Sequence, residues 1–152
     1  MQAFLLRHGE AQLFAETDRE RALTSLGHQQ TLDILSRSAG DLSRVTRIIA
    51  SPYIRAQQTA QLAAEQLELP VETSDLLTPD SRLMPLGEFV ESLQDDIPLL
   101  VTHQPLVGSF VDWLCGLAPG RHIMGTSALA YVEADVMAGS CGELLWLHQP
   151  DY

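Results

Sequence analysis

Short apolar segments that alternate with helix signals constrain the fold of this chain more than any other feature. The runs 3–6, 47–50 and 98–102 are almost continuously apolar, which is typical of strands that are covered on both faces of a parallel sheet. The segment 70–73 predicts a short third strand. Four strands are therefore expected along the chain up to residue 102, each followed by a helical segment.

Four helices are predicted after these strands, with their starts at Thr24, Ser51-Pro52, Pro85 and Pro105. Serine and threonine are common N-cap residues, and proline is favoured in the first turn because its missing N–H has no intrahelical partner there. The first helix should continue to about Arg37, with Leu32, Leu35 and Ala39 on its apolar face and Gly40 as its C-terminal stop. The second should continue to about Leu67.

Two further apolar segments, 128–132 and 143–147, follow the last helix and are separated by a turn that contains Gly139 and Gly142. This arrangement predicts a β-hairpin. The strand–helix alternation before it predicts an α/β fold, a three-layer αβα sandwich with a mostly parallel central sheet and helices on both faces. With 152 residues, the chain is expected to form a single domain over 1–152.

The charge of the chain limits its partners. The formal net charge is −11 at pH 7, which argues against nucleic acid because a phosphate backbone requires a basic surface. No apolar run approaches the ~20 residues of a membrane span, and no secretion signal is indicated. Cys115 and Cys141 have no metal-ligand spacing and are expected to be reduced. These features predict a cytoplasmic protein without a membrane partner, with a monomer as the default expectation.

Three of the predicted strands end close to residues that can do chemistry. Arg7-His8 follows the first strand, Arg55 lies in the first helical turn after the second, and His103 ends the fourth. Ligands of open α/β sheets bind just outside the carboxyl ends of the strands. We therefore expect these two histidines and two arginines to meet at one edge of the sheet.

The four residues suit an anion. Arg55 faces the positive end of its helix dipole, which is unfavourable by on the order of a few tenths of a kcal/mol. A bound anion would offset this cost and accept from free backbone N–H groups; alternatively, Arg55 is a solvated surface residue that tolerates it. Arg7 beside His8 favours the neutral, nucleophilic imidazole; alternatively, this pair simply begins a surface loop.

A metal site is not expected from the sequence. Zinc requires three or four ligands, but no carboxylate cluster accompanies His8 and His103, and His28, His122 and His148 fall in unrelated contexts. No other cofactor is indicated either.

The segments LLRHGEA (5–11), LTSLGHQQ (23–30), SPYIRAQQTA (51–60) and VTHQPLVG (101–108) together resemble the histidine phosphatase superfamily, also called the phosphoglycerate-mutase-like fold. The compact length of the chain is most similar to that of the bacterial SixA-type phosphohistidine phosphatases. The resemblance implies that His8 attacks phosphorus and carries the phosphoryl group. It also implies that Arg7, Arg55 and His103 hold the equatorial oxygens, on which charge accumulates.

The resemblance extends to residues outside this group. Arg21 is similar to a further anion-binding arginine of the SixA-type proteins, and the backbone N–H of Gln104 would add another donor. Thr24 and Gly27 are instead expected to serve as a helix cap and a packing position.

Larger members of the superfamily carry a general-acid glutamate in an insertion, and the segment 72–97 lacks such a motif. An alkoxide leaving group is about as basic as hydroxide, whose parent water has a pKa of ~16, whereas the imidazole released from phosphohistidine has a conjugate acid with a pKa of about 6.5. The missing acid therefore favours a phosphoramidate substrate. Asp18 is the candidate for proton delivery, with a solvated loop residue as the alternative. Asp80 and Glu88 would qualify if the loop 74–90 folds over the site.

The sequence thus predicts a phosphohistidine phosphatase that acts on a histidine-phosphotransfer or phosphocarrier protein through a phosphohistidine intermediate. A small-molecule phosphomonoesterase of the same superfamily is the alternative enzyme. A non-catalytic phosphate-binding module is the alternative from another class.

Overall fold

The computed structural model describes all residues from Met1 to Tyr152. Six strands form one sheet: β1 (Gln2–Arg7), β2 (Arg47–Ala50), β3 (Val71–Thr73), β4 (Pro98–Thr102), β5 (Leu129–Ala134) and β6 (Gly142–His148). Five helices accompany it: α1 (Ser25–Arg37), α2 (Ala39–Leu42), α3 (Ile54–Leu67), α4 (Leu83–Glu91) and α5 (Leu106–Leu114). None of these helices combines the length and the apolar character that crossing a membrane requires.

The sheet has the strand order β3-β2-β4-β1-β5-β6. The strands β1 to β4 run parallel to one another, whereas β5 is antiparallel to β1 and β6 is antiparallel to β5. Parallel neighbours need crossover connections, which the helices supply, and a hairpin completes the remaining edge. The prediction of an α/β fold with a mostly parallel sheet is confirmed.

The pleat of the central strands sends alternate side chains to opposite faces of the sheet. Phe4 and Leu99 pack with residues of α1 and α3 on one face, whereas Leu5 and Leu100 pack with residues of α4 and α5 on the other. Both faces are therefore covered. This explains why β1 and β4 are apolar at successive positions, and it confirms the three-layer arrangement.

Helix α1 begins where the sequence predicts, because the Thr24 side chain accepts a hydrogen bond from the backbone N–H of Gly27 at 2.9 Å. It ends at Arg37, as predicted, but Gly40 lies inside the short helix α2 and is not the residue that terminates α1. Leu32 is exposed, because the face of α1 that packs on the sheet includes Ile34. Of the predicted apolar face, Leu35 is buried, whereas the prediction is wrong for Leu32 and for Ala39, which is exposed and lies in α2.

Helix α3 begins at Ile54, two residues later than the Ser51-Pro52 signal predicts. Ser51 is not its N-cap. The Ser51 hydroxyl accepts a hydrogen bond of 3.2 Å from the backbone N–H of Tyr53 and lies 2.8 Å from Nε2 of His103. This serine therefore belongs to the edge of the sheet where the predicted site lies.

Candidate active site

Strands β2, β4 and β1 are neighbours in the sheet, so their carboxyl ends meet at one edge. The backbone N–H groups of Ser51 and His8 continue the strand pairing there, donating to the carbonyls of Val101 and Thr102 at 3.0 Å each. His103 follows β4 directly, and its ring centroid lies 5.0 Å from that of His8. The structure therefore brings the two predicted histidines together.

The His8 imidazole is buried, with 7% of the residue exposed. Its Nδ1 lies 2.7 Å from the backbone carbonyl of Gly9, which only accepts, so Nδ1 carries a proton. Its Nε2 accepts a hydrogen bond of 3.3 Å from Nε of Arg55. The ring is therefore held as the neutral tautomer whose nucleophilic lone pair is on Nε2.

Burial is the main reason that His8 is neutral. Burial lowers the pKa of His8, the positive charges of Arg55 and then Arg7 lower it further, and the Gly9 carbonyl opposes them, which leaves a pKa of about 4. The interpretation of the sequence, in which Arg7 favours the neutral imidazole, is therefore right in direction. Burial and Arg55 nevertheless contribute more than Arg7 does.

Arg55 is buried beneath a turn of the loop that follows β1. Its Nη1 donates to the backbone carbonyl of Asp18 at 2.7 Å and its Nη2 to the Asp18 carboxylate at 3.1 Å. The guanidinium carbon lies 5.0 Å from the ring centroid of Tyr53. Thr59 Oγ1 donates to the Arg55 carbonyl and accepts from the backbone N–H of Gly9. Helix α3 therefore positions both the guanidinium and the loop after β1.

Two buried side-chain nitrogens at this edge have no partner, namely Nε of Arg7 and Nδ1 of His103. Arg7 is anchored by its Nη1, which donates to the Met124 carbonyl at 2.8 Å. The backbone N–H of Gln104 also has no acceptor within the protein. A buried unpaired donor costs on the order of 1–3 kcal/mol. An anion whose oxygens accepted from these groups would remove that cost.

His103 is almost completely buried, with 1% of the residue exposed. Burial lowers its pKa to about 3, and the neighbouring His8 and Arg55 act in the same direction. His103 is therefore neutral at physiological pH. A neutral imidazole keeps one N–H, which can donate to a bound anion.

The surroundings of Asp18 argue against the expected role as a general acid. Its carboxylate accepts from Nη1 of Arg21 at 2.9 Å and from Nη2 of Arg55 at 3.1 Å. The hydrogen bond from Arg21, reinforced by Arg55, lowers the pKa of Asp18 below its ordinary value. Asp18 is therefore ionised at neutral pH and has no proton to donate. Arg21, which also donates to the Gln12 carbonyl, is linked to Arg55 through Asp18.

Neither Asp80 nor Glu88 forms a hydrogen bond or an ion pair with Arg7, His8, Arg55 or His103. Asp80 accepts a hydrogen bond of 2.8 Å from Thr78 in its own loop, and Glu88 lies on α4 beside a groove that Met84 and Trp113 also line. No group of three or more His, Cys, Asp or Glu side chains is arranged to hold a metal ion.

Three groups that shape the site are weakly marked in the sequence or not at all. The bond between Ser51 and His103 was hidden because Ser51-Pro52 also matches a helix start. Thr59 lies four positions after Arg55, a spacing at which a helical threonine can donate to the earlier carbonyl. The Met124 carbonyl has no signal, because every residue has a carbonyl and 117 positions separate it from Arg7.

The sequence of this chain is similar to those of known proteins. The sequence profile of the histidine phosphatase superfamily (branch 1) matches residues 3–78. The phosphohistidine phosphatase SixA of Escherichia coli (strain K12) is 33% identical over 142 residues, which cover 89% of this chain and 86% of that protein. The SixA homolog of Haemophilus influenzae is 33% identical over 128 residues, which cover 76% of this chain and 78% of that protein.

The same similarity holds in three dimensions. The structure of the protein histidine phosphatase SixA complexed with tungstate superposes on this chain with a TM-score of 0.89 at 31% sequence identity. The match covers 99% of this chain and 97% of that one.

Proposed function

The chain belongs to the histidine phosphatase superfamily, and we propose that it is a phosphohistidine phosphatase that removes the phosphoryl group from a histidine of another protein. One observation carries this proposal: the Nε2 lone pair of His8 lies beside Arg55, at an edge where Arg7 and His103 each have a buried nitrogen without a partner. The full-length similarity to proteins named phosphohistidine phosphatases supports the choice of substrate. The family resemblance drawn from the sequence motifs is confirmed.

The first step transfers the phosphoryl group to the enzyme. Nε2 of His8 attacks phosphorus while the P–N bond of the substrate breaks. The substrate imidazole, protonated by solvent on its other nitrogen, leaves as a neutral ring. His8 then carries phosphorus on Nε2 and retains the proton on Nδ1, which the Gly9 carbonyl holds. This positive ring is in turn a good leaving group.

The second step releases inorganic phosphate. Water attacks phosphorus, its proton passes to solvent, and the P–Nε2 bond breaks, so that His8 returns to its neutral tautomer. In both steps charge spreads over three equatorial oxygens. Nε of Arg7, Nδ1 of His103 and the Gln104 N–H are the unpaired donors for them. Arg55 becomes a further donor when its guanidinium releases the Asp18 carboxylate and donates to a phosphoryl oxygen instead.

The ionised state of Asp18 fits this substrate class. An alcohol leaving group would need a positioned general acid, and Asp18 has no proton to supply. Imidazole needs far less assistance, because its conjugate acid has a pKa of about 6.5.

The shape of the site favours a histidine on a protein over a small molecule. The four surface cavities are lined by residues other than His8, Arg55 and His103. A small ligand usually depends on a concave pocket for its affinity, whereas a phosphorylated protein brings an additional contact surface. A histidine-phosphotransfer domain or a phosphocarrier protein is therefore the partner class that we propose.

We also place this reaction in the cytoplasm. Cys115 and Cys141 are both free thiols, as is usual for proteins in a reducing compartment.

The test measures phosphate release from a phosphohistidine-containing phosphocarrier protein and from p-nitrophenyl phosphate. The variants are His8→Ala and, as a control, His28→Ala, which changes an exposed histidine of α1. We expect the wild type and His28→Ala to release phosphate from the phosphoprotein and His8→Ala to release none. Release from the ester alone would identify a small-molecule phosphatase. Release from neither would contradict the proposal and leave a non-catalytic phosphate-binding module as the remaining hypothesis.

A further inference from the structure

Ser51 and His103 form a fully buried hydrogen bond. Ser51 has no exposed surface and His103 is 1% exposed. Oγ of the serine lies 2.8 Å from Nε2 of the imidazole. The direction of this hydrogen bond decides which nitrogen of His103 carries the proton.

The surroundings of the Ser51 hydroxyl determine that direction. Its oxygen accepts from the backbone N–H of Tyr53 at 3.2 Å, and its other partner is Nε2 of His103. A hydroxyl has one hydrogen to donate, and a buried polar group without a partner costs about 1–3 kcal/mol. Because Nε2 is the acceptor within reach, Ser51 donates to it, and this nitrogen is unprotonated.

The proton of neutral His103 is therefore on Nδ1. This atom is buried and has no partner within the protein. In the opposite tautomer, both the Ser51 hydrogen and the Nδ1 lone pair would be unsatisfied. In the tautomer inferred here a single N–H remains unpaired, and a phosphoryl oxygen is an acceptor for it.

We propose that Ser51 is a positioning residue that holds His103 in its Nδ1–H tautomer, so that neutral His103 donates a hydrogen bond to an oxygen of the bound phosphoryl group. The identity of that oxyanion rests on the proposed function, whereas the tautomer does not. The ring centroid of His8 is 5.0 Å from that of His103. A neutral His103 therefore avoids electrostatic repulsion with the phosphorylated His8 ring, which is cationic.

The first measurement determines the tautomer of His103 by NMR in the ¹⁵N-labelled protein at pH 7. Two-bond couplings between the ring nitrogens and the carbon-bound ring protons distinguish Nδ1–H from Nε2–H, and His103→Gln assigns the signals. We expect a protonated Nδ1 and an unprotonated Nε2. A protonated Nε2, alone or together with a protonated Nδ1, would overturn the proposal.

Titration with tungstate, a tetrahedral oxyanion, tests the donor role without turnover. We expect the Nδ1–H resonance of His103 to shift as tungstate saturates the protein. Bound tungstate that leaves this resonance unchanged would overturn the donor role. If the protein releases no phosphate but both NMR results hold, the proposed function fails and the role of Ser51 stands. If the protein releases phosphate but His103 has the opposite tautomer, the proposed function stands and the role of Ser51 fails.

Ser51→Ala removes the proposed control over the tautomer. Its matched control is Ser38→Ala, because Ser38 is 1% exposed and lies 3.3 Å from Nδ1 of another imidazole, that of His148. We expect Ser51→Ala to populate both tautomers of His103 and to lower kcat by about 10-fold, less than the loss on deleting a donor outright. Ser38→Ala should change neither. A folded Ser51→Ala protein with the wild-type tautomer and kcat would contradict the proposal.

Discussion

Nε of Arg55 lies 3.3 Å from Nε2 of His8, and the remaining nitrogens of the same guanidinium hold Asp18. One buried cation therefore contacts both the nitrogen that we propose as the nucleophile and the loop that covers it. Its position is set by α3, where Thr59 ties the Arg55 carbonyl to Gly9. The charge and the shape of the Arg55 side chain should both matter for activity.

Replacing Arg55 with lysine separates charge from shape. Lysine keeps the positive charge but has a single nitrogen, so it cannot contact His8 and a phosphoryl oxygen with a planar fork. We expect Arg55→Lys to lower kcat/KM for the phosphoprotein by about 10²-fold or more. Arg37→Lys, on the exposed end of α1, is the matched control and should retain wild-type activity. Equal activity of both variants would show that charge alone suffices at position 55.

The burial of His8 sets the acid limit of catalysis. Only the neutral imidazole can attack phosphorus, and its pKa of about 4 lies below the ~6.5 of an ordinary histidine. Lowering the pH from about 7 to about 5 should therefore leave His8 unprotonated, and protonation should remove activity only as the pH falls through about 4. The check is kcat/KM against pH, corrected for spontaneous hydrolysis, together with an NMR titration of His8. A common midpoint near 6.5 would contradict the burial argument.

The carboxyl ends of the strands were predictable from the sequence because burial ends where the apolar runs end. Strands β2 and β4 have the predicted bounds, Arg47–Ala50 and Pro98–Thr102. The parallel arrangement then placed the residues that follow them at one edge. The helix boundaries were less predictable, since Gly40 continues into a second helix and Ser51 uses its hydroxyl for His103.

The partners of the site residues could not be predicted, because they depend on the path of loops. Asp18 meets Arg55 across 37 positions of sequence. That contact changes the expected chemistry of Asp18, since a neighbouring guanidinium favours the ionised carboxyl and opposes a role as an acid. The Leu32 prediction failed for a different reason: helical spacing identifies an apolar face only to within one side chain, and here Ile34 and Leu35 are buried while Leu32 is exposed.

The Asp18 carboxylate binds the Arg55 guanidinium, to which the phosphoryl group is also proposed to bind. Removing the negative charge of Asp18 should therefore strengthen the binding of anions at this site. Asp18 is largely exposed, with 58% of its side chain accessible, and solvent weakens its interaction with Arg55. We therefore expect Asp18→Asn to tighten tungstate binding by only about two- to fivefold, as measured by calorimetry. Phosphate release should persist, whereas loss of a general acid would lower it by about 10²-fold. Asp33→Asn, on α1, makes the same charge change outside the site.

Gly27 determines how closely α1 approaches the loop that follows His8. A Cβ at this position would collide with the Glu10 carbonyl and lie 2.8 Å from the Glu10 nitrogen, both of them backbone atoms that cannot rotate away. A Cβ at Gly40, which is also helical, would have no atom within 4 Å. Gly27→Ala should therefore lower the free energy of unfolding by about 1–3 kcal/mol, although alanine is the better helix former. Gly40→Ala should raise it by about 0.5–1 kcal/mol. Urea denaturation of the two variants beside the wild type measures both effects, and stabilisation by both substitutions would show that α1 can move away from Glu10.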